Sequence, residues 1–271
     1  MRISLCWLLL NNSFHPATVI MRFILLFSFL FSYSELLYAQ RDSVSISRNN
    51  LLIQQLKSGK STYAVWTKDL ATEAVSKISI WNREVRFRKL KGREVIVVSQ
   101  MRFYEDPVNN KYVYTVSDKQ NFKTIYDFTK RIRTGIEAFN YYDNEISAAD
   151  SVKENSKQGF KMTITDFPFC FELDLETLSL LPLKRAGQQL AVNFYHPGGE
   201  APRYYPVDVI GSEQIQVTSE QKIECWKIQL RYSEDSYDFS WISNKTHELI
   251  KLEGHYPNTL FTKIKLVIPA P

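Results

Sequence analysis

The strongest constraint on the fold of this chain is an alternation of apolar and polar residues within residues 205–253. Every second residue from Trp226 to Tyr232 is apolar, and every second residue from Tyr237 to Trp241 is aromatic. A period of two residues is typical of strands with one buried and one solvated face. The pattern predicts an antiparallel meander of four short strands. Trp226 and Trp241 are both predicted to lie on its buried face.

Three segments of this stretch follow one another in a distinctive order: VIGSEQI at 209–215, IECWKI at 223–228 and SYDFSWISNKTHELIKL at 236–252. Their order resembles the C-terminal half of an uncharacterised family of bacterial envelope proteins. That family is similar to the Lol lipoprotein carriers. The matching features extend from about Tyr63 to Leu266 and are clearest after Phe167. The resemblance implies a curved antiparallel half-barrel wrapped around helices, and it supplies no catalytic motif.

Further strand patterns occupy most of the remaining chain. Residues 93–103 include a run that is apolar on both faces, which predicts a central strand. In the last strand, Leu260 and Ile264 alternate with Lys263 and Lys265. The predicted fold class is therefore mainly β (β-rich α+β), a curved antiparallel sheet or half-barrel.

Two helices are predicted between these strands. The first is a short helix at residues 51–56. The second covers residues 173–181, where Leu175, Leu178 and Leu181 recur at helical spacing. Because this second segment is apolar on two sides, we expect it to lie buried on the concave face of the sheet.

The first 39 residues have the pattern of a secretory signal peptide. Met21 and Arg22 precede an apolar run at residues 23–31, and Ala39 supplies a small residue for cleavage. We interpret Met21 as the true start, residues 1–39 as the signal-peptide region and residues 40–271 as a single β-rich domain. The alternative is a retained N-terminal anchor. Cleavage predicts a periplasmic or secreted protein.

Composition limits the possible partners and covalent links. The chain has 34 basic and 29 acidic residues, a small excess that is spread along the sequence and argues against a nucleic-acid partner. Cys170 and Cys225 follow the predicted cleavage site. In an oxidising compartment they could form a disulfide, and the sequence leaves this pairing open.

No motif for catalysis, a metal or a cofactor is recognisable. The chain lacks a G-x-S-x-G elbow, a phosphate-binding loop and a dinucleotide fingerprint. His196, His247 and His255 have no paired ligand spacing and lie beside turn signals. We therefore predict a non-enzymatic protein with no catalytic residue, no metal site and no cofactor.

Two functions stay open at this point. In the first, the interior forms a groove that binds a hydrophobic ligand, a lipid or a lipidated protein. In the second, the interior is a filled core, and the protein is a structural or assembly factor that contacts an envelope protein partner through its surface. For the first function, the candidate ligand-binding residues are the three leucines of the second helix and four tyrosines at a rim: Leu175, Leu178, Leu181, Tyr112, Tyr114, Tyr126 and Tyr237.

Overall fold

The computed structural model describes residues 41–266, which belong to one compact unit. The predicted signal-peptide region, with Met21 and Ala39, lies outside the described residues. Among the described residues, no helix has the length and apolar character needed to cross a bilayer.

The described chain folds into one large, curved, unclosed sheet of sixteen strands and one short α-helix. The coarse prediction of a mainly β fold built on a curved sheet is confirmed. The strands are β1 (Asp42–Val44), β2 (Gly59–Asp69), β3 (Ser79–Leu90), β4 (Arg93–Phe103), β5 (Lys111–Asp118), β6 (Thr124–Arg131), β7 (Gly135–Tyr141), β8 (Glu145–Ala148), β9 (Lys161–Thr163), β10 (Phe169–Cys170), β11 (Gln189–Tyr195), β12 (Arg203–Gln216), β13 (Lys222–Arg231), β14 (Tyr237–Ser243), β15 (Leu249–Tyr256) and β16 (Thr259–Lys265). The α-helix is α1 (Asp174–Ser179), and 3-10 turns occupy Ile53–Gln55, Pro107–Asn109 and Phe171–Leu173.

The sheet consists of two antiparallel meanders joined side by side. Strands β2 to β9 follow one another in chain order, and so do β11 to β16. The junction is the antiparallel pairing of β16 with β2. The sheet is not antiparallel throughout, because β1 and β10 both pair with β11 in parallel. Residues 164–188 connect the two meanders and carry α1.

Both predicted helices are shorter in the structure. The segment at 173–181 begins as the 3-10 turn Phe171–Leu173 and is α-helical only over Asp174–Ser179. Pro182 lacks an N–H group and cannot continue a helix, so the last leucines pack in irregular backbone. The segment at 51–56 forms only the turn Ile53–Gln55, because so short a stretch does not nucleate an α-helix by itself.

The inner face of the sheet is defined here as the face that carries α1 and the main core. Side chains from α1 and from both meanders share this core, including Leu173, Leu178, Val192, Phe194 and Ile228. The opposite, outer face carries two small buried clusters. One is centred on Val95, Val97 and Val116, and the other on Cys225, Trp241 and Ile250.

The register between β13 and β14 corrects one prediction. Trp226 pairs with Ile242, whereas Trp241 pairs with Lys227. Trp226 packs against the main core, but Trp241 lies in the outer cluster. The hairpin aligns Arg231 with Tyr237, so the aromatic row shares a face with the basic residues of β13. An alternation pattern gives the period of each strand but not the register across the turn.

Candidate ligand-binding site

Charged side chains lie on the inner face, where the sequence predicts an apolar interior. Arg83 of β3 donates from Nε to Glu176 Oε1 of α1 at 2.7 Å and from Nη1 to Gln100 Oε1 at 2.8 Å. Its Nη2 donates to the carbonyl oxygen of Glu172 at 2.8 Å. The arginine and Glu176 are 4% and 6% exposed. This ion pair fixes α1 against the first meander.

A second acidic residue, Glu172, accepts hydrogen bonds from two cationic side chains. The Lys111 Nζ donates to Glu172 Oε1 at 2.5 Å, and the Arg102 Nη2 donates to Glu172 Oε2 at 3.3 Å. Burial alone would raise the pKa of Glu172, but Lys111 and Arg102 outweigh it and hold this pKa below its usual value. Burial lowers the pKa of Lys111. The Glu172 carboxylate is therefore shared, and this side of the interior carries more positive than negative charge.

Beside these charges a pocket of about 320 Å³ opens next to the first residue of α1, against the sheet. It is formed by β3, β4, the 3-10 turn that precedes α1, and strands of the second meander. Most of its wall is apolar or aromatic, contributed by Trp81, Phe171, Tyr232, Leu252, Tyr256 and Phe261. The ionisable groups in its lining, apart from the tyrosines, are Arg102, Asp174, His196, Asp238 and Lys263.

Two cations converge on the indole ring of Trp81 at one wall of this pocket. The Arg102 guanidinium carbon lies 4.0 Å from the ring centroid, and Lys263 Nζ lies 4.7 Å from it. Lys263 is 4% exposed. Its burial lowers the pKa to about 8, although the Asp174 and Asp238 carboxylates act in the opposite direction. Within residues 41–266, the Lys263 side chain makes no hydrogen bond and no ion pair.

The pocket lining also includes a carboxylate, Asp238, that already accepts two hydrogen bonds. Tyr232 and Tyr256 donate their hydroxyl protons to Asp238 at 2.6 and 2.8 Å. Burial raises the pKa of Asp238, although both hydrogen bonds oppose that effect. Gly254 pairs with Asp238 across the sheet, and a Cβ atom there would lie 2.6 Å from Asp238 Oδ1. The absence of a side chain at position 254 therefore leaves room for this cluster.

His196 completes the pocket lining on the side of the connecting segment. Its ring stacks on Phe171 with 3.9 Å between the centroids. Burial lowers the pKa of His196, which favours the neutral imidazole at neutral pH. In the described part of the chain, no group of three or more histidine, cysteine, aspartate or glutamate residues could hold a metal ion.

Comparison with known families assigns the chain to one of them. A family model described as "Protein of unknown function (DUF3108)" matches residues 72–263. The chain belongs to the DUF3108 family. The predicted membership of an uncharacterised family is thus confirmed. No curated protein matches the DUF3108 protein.

Two solved structures are distantly similar to the DUF3108 protein. A beta-barrel-like protein of the DUF1849 family from Brucella abortus aligns at 11% identity and a TM-score of 0.47, over 78% of this chain and 96% of the other. A DUF1329 family protein from Desulfovibrio piger ATCC 29098 aligns at 11% identity and a TM-score of 0.27, over 81% of this chain and 88% of the other. Structural similarity with these identities and TM-scores supports no conclusion about the function of the chain.

The DUF3108 structure separates the predicted ligand-binding residues into two groups. Leu175, Leu178 and Leu181 are buried in the main core on the inner face. Leu175 also touches a small cavity of about 90 Å³, which lies beside Arg83 and Glu176. The leucines are therefore close together, but they pack within the core and do not line the aromatic pocket.

The four predicted rim tyrosines lie on the outer face of the DUF3108 sheet and do not meet the leucines. Tyr114 and Tyr126 pack on the outer valine cluster, and their rings make an edge contact. Tyr112 points to the same face as Tyr114 and contacts Phe128. Tyr237 stacks on His255. Tyrosines that alternate with polar residues in a strand can cover either face, and these four cover the face opposite to α1.

The pocket of the DUF3108 protein depends on residues that the sequence analysis missed. Lys263 alternates with apolar residues in the sequence, and the structure places it on the inner face, where it pairs with Leu252 and Val65. A usable signal was present in β3, where Arg83 shares a face with Trp81 and Val85. A charged residue within the apolar register of a strand indicates a buried polar contact. In β16 that signal is absent, because Lys263 shares its register with Lys265, while the other register, with Leu260 and Ile264, has the apolar character of a buried face.

Proposed function

We propose that this DUF3108 protein is exported to the periplasm or secreted, and that it binds a hydrophobic ligand there without catalysing a reaction. The observation that carries the proposal is the open pocket of about 320 Å³ with its aromatic wall. Small-molecule sites are typically concave, mostly apolar clefts of ~300–1,000 Å³ with a few polar groups. The pocket agrees with this description and lies at the small end of the range.

Aromatic rings give such a pocket its driving force. Phe171, Phe261 and Tyr256 present apolar ring surface to the same space. Covering that surface with an acyl chain or an aromatic ring removes it from water, which contributes ~25 cal/mol for each Å². A free fatty acid and the acyl chain of a lipidated partner would both satisfy this requirement, so both belong to the proposed ligand class.

The position of the ligand differs from the one expected from sequence. The buried leucines of α1 fill the space between the helix and the sheet. A ligand there would have to displace a packed core, which is costly because protein interiors are packed as densely as organic crystals. We therefore place the ligand beside α1, in contact with Phe171, and not beneath the helix.

A binding role without catalysis is supported by the state of the ionisable groups. Asp238 accepts two tyrosine hydroxyl groups, and His196 is stacked on a phenylalanine ring. The described pocket lining contains no serine, threonine or cysteine that either residue could activate as a nucleophile. Export is supported by the signal-peptide pattern of residues 1–39.

The test is titration with N-phenyl-1-naphthylamine, a neutral probe whose fluorescence rises in apolar sites. We expect saturable binding by the wild type. Phe171→Ala should weaken it about tenfold, which corresponds to the loss of ~1.4 kcal/mol of apolar contact. Phe87→Ala is the matched control, because Phe87 is 37% exposed and does not belong to the pocket lining.

Two outcomes would contradict the proposal. One is the absence of probe binding in the folded wild type. The other is an equal affinity in Phe171→Ala and Phe87→Ala. Either result would favour the alternative function, in which the interior is a filled core and the protein acts as a structural or assembly factor through its surface.

A further inference from the structure

We propose that the ligand of the aromatic pocket is an amphiphile with an anionic group, and that Lys263, assisted by Arg102, binds this group beside Trp81. The inference rests on the proposed function and specifies the chemical class of its ligand. It is carried by a cation that is buried, lies in the pocket wall and lacks an ionic partner within residues 41–266.

The first step concerns Lys263 itself. The strand pairing of β16 with β15 and β2 places it on the inner face, where it is 4% exposed. Its nearest aromatic contacts are the rings of Trp81 and Phe261, whose centroids lie 4.7 and 5.8 Å from Nζ. An ammonium ion that is largely removed from water and has neither a hydrogen-bonded nor an ionic partner is unfavourable to the fold. Such a group is retained at a cost to the fold, which points to a partner that arrives from outside.

The second step concerns the charges around it. Of the acids in this part of the molecule, Glu176 is engaged by Arg83, and Glu172 is divided between Lys111 and Arg102. Asp238 accepts both tyrosine hydroxyls. Each of these carboxylates therefore already has its donors.

The remaining acid of the pocket is Asp174, at the start of α1. Its carboxylate accepts the backbone N–H of Leu175 at 2.8 Å and makes no ion pair with Lys263. It attracts Lys263 through space, as Asp238 does, while Arg102 and Arg83 repel it. No carboxylate within residues 41–266 closes on Lys263, so the ammonium group is available to an added anion.

The third step concerns Arg102. Its guanidinium group lies over the Trp81 ring at 4.0 Å and shares Glu172 with Lys111, which binds that carboxylate more closely. Arg102 also lines the pocket. Two cations above one indole ring, next to an apolar wall, suit a ligand whose anionic end contacts the cations and whose apolar end contacts the phenylalanines.

A carboxylate and a phosphate ester both supply this anionic end, so the test uses one of each. We would titrate the full exported chain with decanoate, decyl phosphate and neutral decanol by calorimetry at pH 7. We expect at least one anion to bind tenfold or more tightly than decanol. In Lys263→Met this preference should fall to less than threefold, while decanol binding persists.

Lys251→Met is the matched control. Lys251 also lies on a strand over an indole ring, 4.6 Å from the centroid of Trp241, but on the outer face. This variant should keep the preference of the wild type for an anion. Equal affinity of the wild type for decanol and both anions would overturn the anion proposal and leave the proposed function intact. Binding of none of the three ligands would overturn both.

A second measurement decides the question if Lys263→Met does not fold. In the wild type, the ratio of decanoate to decanol affinity should fall between pH 7 and pH 10, because Lys263 loses its proton while the decanoate carboxylate stays ionised. Tyr232 and Tyr256 stay protonated across this range, since burial raises their pKa values. A constant ratio would overturn the role of Lys263.

Discussion

Arg83 and Glu176 form a buried ion pair that connects the third strand of the sheet to the only α-helix of the described residues. Burial opposes the charged form of Arg83, but Glu176 outweighs it and the pKa of the arginine is raised. The guanidinium group is therefore charged at neutral pH, and both side chains are almost completely removed from bulk water. The orientation of α1, and with it one wall of the pocket, depends on this pair.

Removing one partner of this pair should destabilise the fold strongly. Glu176→Ala leaves the guanidinium group buried without its counter-ion, which typically costs ~3–5 kcal/mol. Urea denaturation measures the loss. The control is Glu73→Ala, which breaks the exposed pair with Lys68 and should change the free energy of unfolding by less than ~1 kcal/mol. Similar losses in the two variants would mean that α1 is not held by Arg83.

Trp241 should contribute to stability although it lies on the outer face. It is 2% exposed and is flanked by Lys227 and Lys251, whose amino groups lie 4.7 and 4.6 Å from the ring centroid. Trp241→Ala should cost ~3–5 kcal/mol, as is usual for a buried large side chain. Phe103→Ala, at a position that is 44% exposed, serves as the control. A loss below ~1 kcal/mol for Trp241→Ala would place that residue in solvent.

Cys170 and Cys225 should be free, unreactive thiols. Both are buried, and they belong to different clusters on opposite faces of the sheet. Burial raises the pKa of Cys225 to about 11 and raises that of Cys170 as well, which suppresses the reactive thiolate. Ellman's reagent should label neither cysteine in the native protein and both after denaturation without reductant. If neither cysteine reacted with the reagent after denaturation, the two would be joined by a disulfide.

The pocket lysine should reduce stability. The pKa of Lys263 is about 8 in the folded protein, below its unfolded value, so its burial opposes folding fully below pH 8. That cost disappears as the pH rises towards the unfolded pKa. Lys263→Met should therefore raise the free energy of unfolding at pH 7 by ~1–3 kcal/mol.

Urea denaturation at two pH values measures this difference. The advantage of Lys263→Met over the wild type should shrink at pH 10, where the wild-type lysine is neutral. A variant that is less stable than the wild type at pH 7 would show that the ammonium group is satisfied in the ligand-free fold. Lys251→Met should show neither the gain nor the pH dependence.

Export makes a prediction about the N-terminus of the mature protein. If Ala39 ends the signal peptide, sequencing of the exported protein should begin at Gln40. The Ala39→Arg variant should accumulate as an uncleaved precursor, because the cleavage site requires a small residue. Detection of residues 1–20 in the exported protein would contradict the assignment of Met21 as the start.

The sequence predicts the strands of this protein better than it predicts their faces. Alternation identifies the strands that contain Trp226 and Trp241, because period 2 is a local property. The five residues between Arg231 and Tyr237 then decide which faces coincide, and they place the two tryptophans on opposite sides. One residue more or fewer in this turn would reverse the result.

The pocket was less predictable than the strand faces, because the polar residues in and beside it are far from one another in the sequence. Lys263 resembles any solvent-facing lysine of an edge strand until β2 pairs with β16 and covers it. Glu172 and Glu176 are explained equally well by the favourable position of acids near the start of a helix. Their buried partners, Arg83 and Lys111, lie on strands whose distance from the helix follows only from the complete fold.

The joint between the two meanders has a consequence for the order in which this protein matures. It is made by β2 and β16, the first long strand and the last strand of the described chain, so the sheet cannot become continuous before its C-terminal strand is available. Phe261 and Lys263 arrive with that strand. A nascent chain that ends before Thr259 can carry the first meander in full and the second only as far as β15. It lacks both the joint and Lys263, so the proposed binding capacity requires the synthesis of β16.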